Sequence, residues 1–439
     1  MIPLRHSRRS ARAFAADERA AATVFSLLLF MSLVMMGGLA VDVTNAITMR
    51  KELQVTSDAV AHAALVTREL QSEADSKTKA IAVAKLNMPD GQFGNVVTAN
   101  DIVFGTWNPA NTTFTPVSGS REAVMVTARQ DSTNGNPLAT FMLGLIGLDD
   151  WNVSAVTVYT SNGNSCISEG FVGQDVVDLQ SNNFYGDGFC VHSNTGVKVS
   201  SGNTFESGTI VSMPSLSLLQ MPASGWTSNE GITEALREGT LNIRIASRLA
   251  AVIDGIQNPA SKFYPSYITD PTPIRLNTRN IAASNLTKGR IHTLTCNGNQ
   301  NMRFSGGFTM KDVVIITNCD ISFNQNVHIE TSIIATTSTS KLSMTSASAF
   351  SLGNTDVCIP GGESQLVTLG SIKLTSKISV YGSQLLAAGD ISFTSLGEGT
   401  RGVSFTAGGT ISGTTNMSME ACGNMDGTNL QMAYFKMAY

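Results

Sequence analysis

The chain has 439 residues, a formal net charge of −4 at pH 7, 14% charged residues and 39 glycines. Because the charge balance is slightly acidic, the composition has no bias toward nucleic-acid binding, and no nucleic-acid partner is expected. The composition is not typical of a disordered chain, so a large folded protein is expected.

The first element along the chain is an apolar run from Ala20 to Val41 that contains no charged side chain. As an α-helix it would be about 33 Å long, enough to cross the hydrocarbon core of a bilayer. We interpret it as an uncleaved membrane span. A signal peptide is the alternative, but its apolar core would be about 7–15 residues long and followed by a cleavage site. Gly37 and Gly38 are expected to allow close packing against another membrane subunit, although glycine is also common in membrane spans.

Positive charge before the run predicts its orientation. The head, residues 1–19, contains five arginines, and the run itself contains none. The positive-inside rule then keeps the head in the cytoplasm and exports everything after Val41. The arginines of the head are Arg5, Arg8, Arg9, Arg12 and Arg19.

Residues 42–160 are predicted to form a small α+β module. Apolar residues recur at helical spacing from Val43 to about Leu86, where Pro89 and Gly91 would end the helix. A long N-terminal helix on a small sheet is the general plan of pilin-like proteins. The other predicted elements are strands over 101–107, 113–117, 122–128 and 152–160 and an apolar helix over 137–147.

The N-terminal segment resembles that of TadG-like proteins of the tight-adherence (Tad/Flp) pilus system, over about residues 14–160. One signature is G-x-A-x-D at the membrane exit, and a second is R-x-x-L-Q-x-x-x-D-A. Together the two signatures form a specific linked pattern, whereas each alone is weak. The matching residues are Gly38, Ala40 and Asp42 for the first signature, and Arg50, Leu53, Gln54, Asp58 and Ala59 for the second.

The resemblance implies a single-pass protein of the bacterial inner membrane, with a cytoplasmic N-terminus and its bulk in the periplasm. The partners it implies are the lipid bilayer and other pilus-assembly membrane proteins or minor pilins. Minor pilins of the system carry a Gly before the apolar run and a Glu inside it, whereas here Ala20 follows Arg19 and 20–41 contains no Glu. Cleavage by a prepilin peptidase is therefore not expected.

Many TadG-like proteins end in a von Willebrand factor A domain with a metal-binding D-x-S-x-S motif. The nearest match here runs from Asp390 to Thr394, and it recurs from Asp320 to Asn324. A recurring motif indicates a strand repeat, so no metal site is expected.

Residues 161–439 are predicted to form a right-handed parallel β-helix in place of that domain. The segments 177–191 and 197–211 superpose, with Val177 on Val197, Asn183 on Asn203 and Val191 on Val211. Such a repeat is typical of stacked solenoid coils; a β-sandwich with tight hairpins is the alternative. We expect a helical and proline-rich insertion at about 229–275 and a helical tail over 430–439 that caps the last coil.

Six cysteines follow the apolar run, and their even number in an exported chain predicts disulfides. The sequential pairing Cys166–Cys190, Cys296–Cys319 and Cys358–Cys422 is favoured because each bond closes a local loop. Buried free thiols are the alternative. Zinc is a poor explanation, because no cysteines have C-x-x-C spacing.

No catalytic, cofactor-binding or metal-binding motif is present, and no small-molecule substrate is evident. Asp175, Asp178 and Asp187 could form an acidic catalytic group, but solvated turns are the better explanation. The leading hypothesis is a membrane-anchored, non-enzymatic component of pilus assembly or surface adhesion. The alternatives are a tethered carbohydrate-active β-helix enzyme and a minor pilin that enters the fibre.

Overall fold

The computed structural model describes residues 18–162, 165–298, 300–354, 358–375, 377–394, 396–413, 415–423 and 430–438. These form two compact units. One, called the module, contains the chain up to Asn162 together with Phe435–Tyr439; the other, called the solenoid, is Gly163–Tyr434. Most of the predicted basic head, residues 1–17, lies outside the described residues.

The module begins with a single helix, α1, at Glu18–Arg68, whose 51 residues extend over about 76 Å. The prediction that this helix continues to Leu86 is wrong. It ends at Arg68, and a second helix, α2, occupies Glu73–Asn87 and packs against α1. Ser72 caps α2 by accepting a hydrogen bond from the backbone N–H of Asp75, at 3.1 Å. This serine and the acidic first turn favour a new helix start over continuation of the first.

The strands of the module confirm the predicted small sheet. The main sheet is antiparallel, and its buried side chains share a core with Leu53, Val60 and Leu65 of α1. Its strands lie in the spatial order Thr113–Pro116, Ile102–Asn108, Ala123–Gln130 and Val153–Asn162. A short helix, Asp90–Phe93, precedes the sheet. The strands are β1 (Ile102–Asn108), β2 (Thr113–Pro116), β3 (Ala123–Gln130), β4 (Leu138–Ala139), β5 (Asp150–Trp151) and β6 (Val153–Asn162), with β4 and β5 forming a separate pair.

The C-terminal tail also belongs to this sheet, so the predicted helical cap is wrong. Residues Tyr434–Met437 form a strand next to β6, and the N–H of Ala438 donates to the carbonyl of Val158 at 2.7 Å. The open edge of β6 provides backbone partners, and the aromatic residues Tyr434 and Phe435 favour a strand. Phe435 contacts His62 of α1 edge-on, with ring centroids 6.4 Å apart.

The second unit is a β-solenoid with three parallel sheets, which confirms the predicted fold. Sheet 1 contains, in spatial order, Leu236–Glu238, Ile210–Met213, Cys190–Ser193, Gly170–Gly173, Ser404–Ala407, Gln384–Ala387, Gln365–Thr368, Ile333–Thr336, Val313–Thr317, Arg290–Leu294 and Asp270–Arg275. Sheet 2 contains Val197–Val199, Val177–Leu179, Ile411–Ser412, Ile391–Phe393, Ile372–Leu374, Met344–Ser346, Asp320–Phe323, Asn301–Phe304 and Asn280–Ile281. Sheet 3 contains Thr204–Phe205, Phe184–Tyr185, Ser418–Glu420, Leu396–Arg401, Ile378–Tyr381, Ser351–Leu352, His328–Glu330 and Thr309–Lys311.

The coils do not stack in the order of the chain. The last coil, beginning at Ser404–Ala407, pairs with the first, beginning at Gly170–Gly173, and the Phe405 and Phe171 rings stack 5.1 Å apart. The expectation that the tail covers an exposed last coil is therefore wrong. The two ends of sheet 1 are instead Leu236–Glu238 and Asp270–Arg275. Pro271 and Pro273 lie in the second of these end strands and lack the N–H groups that would recruit a further strand.

A segment between these two end strands crosses the outer face of sheet 1. At about 4.8 Å per strand, the eleven strands of sheet 1 extend over about 48 Å. The crossing segment, residues 239–269, contains the helix Leu249–Ile256, which contacts the strand Gln365–Thr368. Its apolar side chains are buried, and strands such as Val313–Thr317 are correspondingly buried on both faces. Short helices at Ser165–Ser168, Gly225–Ser228 and Ile232–Ala235 complete the unit.

The predicted register of the 20-residue repeat is confirmed. Val177 pairs with Val197 and Val191 with Val211. Asn183 and Asn203 form part of a buried ladder of hydrogen bonds. The side-chain oxygen of Asn203 accepts from the N–H of Asn183 at 3.0 Å. The ladder continues to Asn229, whose Oδ1 accepts from the N–H of Asn203 at 2.8 Å. Each asparagine thus satisfies a buried backbone donor of the neighbouring coil.

Replacing Asn203 with Ala is expected to lower the free energy of unfolding of the solenoid by about 1–3 kcal/mol, because the N–H of Asn183 loses its buried acceptor. Asn324→Ala is the matched control, since Asn324 is exposed on the same solenoid. Chemical denaturation of the purified protein measures both. Equal stability of the two variants would contradict the role of the ladder.

Three disulfides join the six cysteines in sequential order, Cys166–Cys190, Cys296–Cys319 and Cys358–Cys422, with Cα–Cα distances of 5.1, 5.3 and 5.3 Å. All three lie in the solenoid. The third closes a sequence separation of 64 residues and connects the last coil to the coil that contains Cys358. Such cross-links restrict the unfolded chain and stabilise the stack.

The buried histidines His192 and His292 of sheet 1 are expected to lower the stability of the solenoid in mild acid. Burial lowers the pKa of His192, partly offset by its hydrogen bond to Asn194, and burial also lowers the pKa of His292. Each imidazole is therefore held neutral in the fold, whereas the unfolded chain takes up protons below about pH 6.5. The contribution to stability is complete above about pH 6.5 and decreases as the pH falls below it.

Denaturation at about pH 7.5 and about pH 5 measures this effect. His192→Gln should reduce the difference between the two conditions, because one of the two titrating groups is removed. A pH difference that is unchanged in the His192→Gln and His292→Gln variants would contradict the assignment.

Candidate functional site at the end of the apolar run

The apolar part of α1 presents its side chains outward. In the described range Ala22–Val41 every residue is exposed except Gly38. Among the described residues, one helix is long and apolar enough to cross a membrane, and it is this one, from Ala22. Further along the same helix, Leu53, Val60, Ala61 and Leu65 are fully buried in the module. The helix thus changes its surroundings between Val41 and Leu53.

Asp42 lies at this change and is only 2% exposed. Its carboxylate accepts three backbone hydrogen bonds, from the N–H groups of Phe141 at 2.7 Å, Met142 at 3.0 Å and Leu143 at 2.8 Å. Burial raises the pKa of the Asp42 carboxyl, but the three donors outweigh it and the pKa is lowered overall. Asp42 is therefore ionised at neutral pH and fixes the segment that follows β4.

Gly38, one helical turn before Asp42, is required by the same contact. A Cβ atom at this position would lie 2.6 Å from the Cβ of Met142, closer than two non-bonded carbon atoms can approach. A Cβ at Gly37 would meet open space. Gly38 thus packs against a segment of its own chain, while packing of Gly37 against another subunit stays a prediction.

The segment held by Asp42 differs from the helix predicted over 137–147. Leu138–Ala139 is a strand paired with Asp150–Trp151, and only Leu143–Ile146 forms a helical turn, of the 3-10 type. Gly147 ends this turn in a left-handed conformation, with φ 86°. The regular helix does not form because Leu138–Ala139 pairs as a strand and Gly147 ends the helical turn after four residues.

The second signature also has a structural explanation for three of its residues. Leu53 is in the core, while Gln54 and Asp58 both bind Thr157 of β6, which is fully buried. The Gln54 amide donates to the Thr157 hydroxyl at 2.9 Å, and this hydroxyl donates to Asp58 Oδ1 at 2.5 Å. The polar cluster fixes α1 on the sheet.

Arg50 and Ala40 are exposed, so they are not part of the packing between α1 and the sheet. The signatures thus contain two kinds of position, those that fix α1 to the module and those that face outward. Sequence reasoning missed Met142 and Thr157, the partners of Gly38 and Asp58. Both lie about 100 residues from their contacts, as the separations of 100 for Asp42–Met142 and 99 for Asp58–Thr157 show.

Replacing Asp42 with Ala is expected to release the segment Phe141–Leu143, because three N–H groups lose their acceptor. Hydrogen exchange of the peptide that spans residues 137–150 measures the release, in full-length protein held in detergent. Asp90→Ala is the control, since Asp90 is an exposed acid of the same module. Slow exchange of 141–143 in the Asp42→Ala variant would contradict the account.

The acids Asp175, Asp178 and Asp187 of the solenoid do not form the catalytic group that the sequence allowed. Asp178 lies on sheet 2 and pairs with Lys198 at 2.9 Å, while Asp175 and Asp187 are exposed in turns on either side of that strand. The three acids are not brought together on one face. No group of three or more His, Cys, Asp or Glu that could hold a metal occurs among the described residues.

The two D-I-S-F motifs are equivalent strand positions. Asp320 starts the strand Asp320–Phe323, and Asp390 immediately precedes Ile391–Phe393 in the same sheet 2. Asp320 accepts from the hydroxyl of Ser338 at 2.5 Å, and Asp390 accepts from the N–H of Thr410 at 2.8 Å. These carboxylates connect neighbouring coils, and the solenoid takes the place of a von Willebrand factor A domain.

Comparison with protein families assigns both parts of the chain. The family described as "Domain of unknown function (DUF7867)" matches residues 170–423, more than half of the 439 residues. The chain belongs to the DUF7867 family. The DUF7867 match coincides with the coils of the solenoid, from its first strand to the turn after Ser418–Glu420. No curated protein and no solved structure matches the chain.

Two further family matches cover the region before the DUF7867 solenoid. "Putative Flp pilus-assembly TadE/G-like" matches residues 20–75, and "Putative Tad-like Flp pilus-assembly" matches residues 59–158. The resemblance to TadG-like proteins is confirmed. These matches indicate a role related to pilus assembly, of a structural kind, and interaction with other pilus components. The first match contains the apolar run, Gly38 and Asp42; the second contains the segment that Asp42 holds.

Proposed function

We propose that the protein is a membrane-anchored structural component of Flp/Tad-type pilus assembly or surface adhesion, which holds its solenoid in the periplasm. Residues 1–19 form the cytoplasmic head, 20–41 the membrane span, 42–160 the TadG-like module and 161–439 the solenoid with its insertion. The Tad family matches over residues 20–158 support the pilus-assembly role.

The observation that carries this proposal is the continuity of α1. The helix passes from the exposed apolar side chains of Ala22–Val41 to the buried Leu53 without a break. The many apolar side chains that are exposed between Ala22 and Val41 are stable only in lipid or against other apolar segments. Because Gly38 and Asp42 fix the module to the end of the run, cleavage within it would remove part of the module's own packing.

Two features support the periplasmic orientation. The five arginines precede the span, as the positive-inside rule requires for a cytoplasmic head. The three disulfides all follow the span, and disulfides persist in oxidising compartments such as the bacterial periplasm.

A structural role is favoured over a tethered carbohydrate-active enzyme. The acids Asp175, Asp178 and Asp187 are separated, and Asp178 is paired with Lys198. The solenoid's buried polar side chains, such as Asn183 and Asn203, serve the stacking of coils. We infer that the solenoid is a rigid spacer or contact surface, and that outward residues of α1 such as Arg50 contact other pilus-assembly proteins or minor pilins.

Membrane topology tests the proposal. The protein in bacterial membranes should retain its basic head and have the full mass of 46.4 kDa. Protease added to spheroplasts should degrade the module and solenoid, whereas protease added to inverted inner-membrane vesicles should remove only the head. A mature N-terminus at Ala20 or later would contradict the uncleaved anchor, and cleavage directly before Ala20 would favour the minor-pilin alternative.

A further inference from the structure

A second apolar surface of the module lies in the segment 141–148, called the apolar loop. Four of its side chains are more than half exposed: Phe141 at 66%, Leu145 at 78%, Ile146 at 64% and Leu148 at 52%. The loop contains no charged residue, and the first charges after it are the exposed carboxylates of Asp149 and Asp150. An outward cluster of large apolar side chains is unfavourable in water and indicates a binding surface.

The apolar loop lies beside the apolar part of α1 and not beside its water-facing part. Loop and helix border a common apolar groove of about 430 Å³. The helix residues at the groove begin at Phe30, twelve positions before Asp42 and therefore about 18 Å further into the span. The groove is lined by Phe30, Met31, Val34, Met35, Leu39, Met142, Leu143, Leu145 and Ile146.

Most backbone N–H groups of the loop bind acceptors within the module, which favours contact of the loop with hydrocarbon. Asp42 accepts the N–H groups of residues 141–143. The N–H of Leu145 donates to Met142 and that of Leu148 to Leu143, at 3.2 and 3.1 Å. The hydroxyl of Thr140 donates to the carbonyl of Leu148 at 2.5 Å. Polar groups therefore bind each other and leave the apolar side chains outward.

We propose that the apolar loop inserts into the outer leaflet of the inner membrane beside α1, with Phe141, Leu145, Ile146 and Leu148 in contact with lipid acyl chains. This inference rests on the proposed anchoring of residues 20–41, because a loop beside that part of the helix then lies at the depth of the bilayer. Lipid is the occupant that fits, since the loop is continuous with the exposed surface of the span and ends at two acids. With Gly38 and Asp42 as its attachment, the loop fixes the orientation of the module on the membrane surface.

Fluorescence of a label at residue 145 tests this insertion. Leu145→Cys provides a single free thiol, because all six native cysteines are in disulfides. The full-length variant is labelled with the environment-sensitive dye NBD and reconstituted into vesicles of phosphatidylethanolamine and phosphatidylglycerol. Leu29→Cys reports the span, and Val117→Cys reports an exposed apolar residue elsewhere in the module.

NBD at residues 145 and 29 is expected to be quenched by doxyl groups on the lipid chains and not by aqueous iodide, and NBD at residue 117 by iodide only. Because Leu145 is exposed, its replacement should not disturb folding, and Ile146→Cys provides a second reporter. Iodide quenching at 145 and 146 together with lipid quenching at 29 would overturn the insertion and leave the anchor intact. Iodide quenching at 29 would instead overturn the anchor. Protection of 145 from both quenchers would show that protein, such as a second copy of this chain, covers the loop in place of lipid.

Discussion

Val199→Asp is expected to unfold the neighbouring coils of the solenoid, at a cost of several kcal/mol, because it buries a charge without a partner. Val199 is fully buried in sheet 2, where it pairs with Leu179 of the coil below. Its backbone N–H donates to Gln220 of the coil above at 2.9 Å. A carboxylate here would lie in a core of stacked valine, leucine and aromatic side chains. Chemical denaturation of the purified protein measures the loss.

The adjacent residue Lys198 is the matched control, because its side chain points outward from the same strand. Its ion pair with Asp178 is partly exposed and contributes at most about 1 kcal/mol. Lys198→Thr should therefore be nearly silent; threonine also avoids placing a second acid beside Asp178. Equal stability of the Val199→Asp and Lys198→Thr variants would contradict the assignment of the inward face.

Phe405→Ala is expected to lower the free energy of unfolding by about 3–5 kcal/mol. The Phe405 ring is fully buried in the last coil. It contacts two rings, that of Phe171 in the first coil and that of Phe393 in the strand Ile391–Phe393. Removal of the Phe405 ring leaves a cavity between the last coil and the first coil. Denaturant unfolding of the full-length protein in detergent measures the change.

A double-mutant cycle makes the same test specific to the order of the coils. Because the Phe405 and Phe171 rings stack 5.1 Å apart, the two alanine substitutions should couple by about 0.5–3 kcal/mol. Phe405 and Phe350 are the control pair, since the Phe350 ring packs against Phe323 in a different part of the solenoid, and their effects should add. Additive effects for Phe405 and Phe171 would contradict the stacking of the last coil on the first.

The sequence was sufficient to predict the features that repeat or lie close along the chain. Val177 and Val197 occupy equivalent places in a 20-residue repeat, and a regular repeat returns each residue to the same position of the next coil. The strands of the module were predictable because their apolar residues alternate, as in β3, where Val124, Val126 and Ala128 are fully buried.

The stacking of the last coil on the first could not be predicted from the repeat. Phe171 and Phe405 belong to coils far apart in the sequence, and the repeat does not indicate which coils are neighbours in space. The crossing segment 239–269 decides the arrangement, because it carries the chain from one end of sheet 1 to the other. The end of α1 at Arg68 was missed because residues 69–72 contain no proline or glycine that would mark a break.

At the candidate site, the residues of the TadG-like signatures were found in the sequence, but the reasons for them were not. Asp42 reads as the first charge after a membrane span, whereas the structure shows a buried carboxylate that binds residues 141–143. The contact joins two segments about 100 residues apart, and each backbone donor is invisible in the sequence. The apolar residues 141–147 fall within the helix predicted over 137–147 for the same reason.

Crosslinking from residue 50 tests the central claim most directly. Arg50 is an exposed signature residue just beyond the proposed span, and the photoreactive amino acid benzoylphenylalanine can replace it without disturbing buried contacts. The full-length variant in intact bacterial cells should form adducts with other pilus-assembly membrane proteins or minor pilins, and the adducts should be found in the inner-membrane fraction. A protein that is recovered outside the membrane fraction and forms no adduct with any pilus-assembly component would contradict the account.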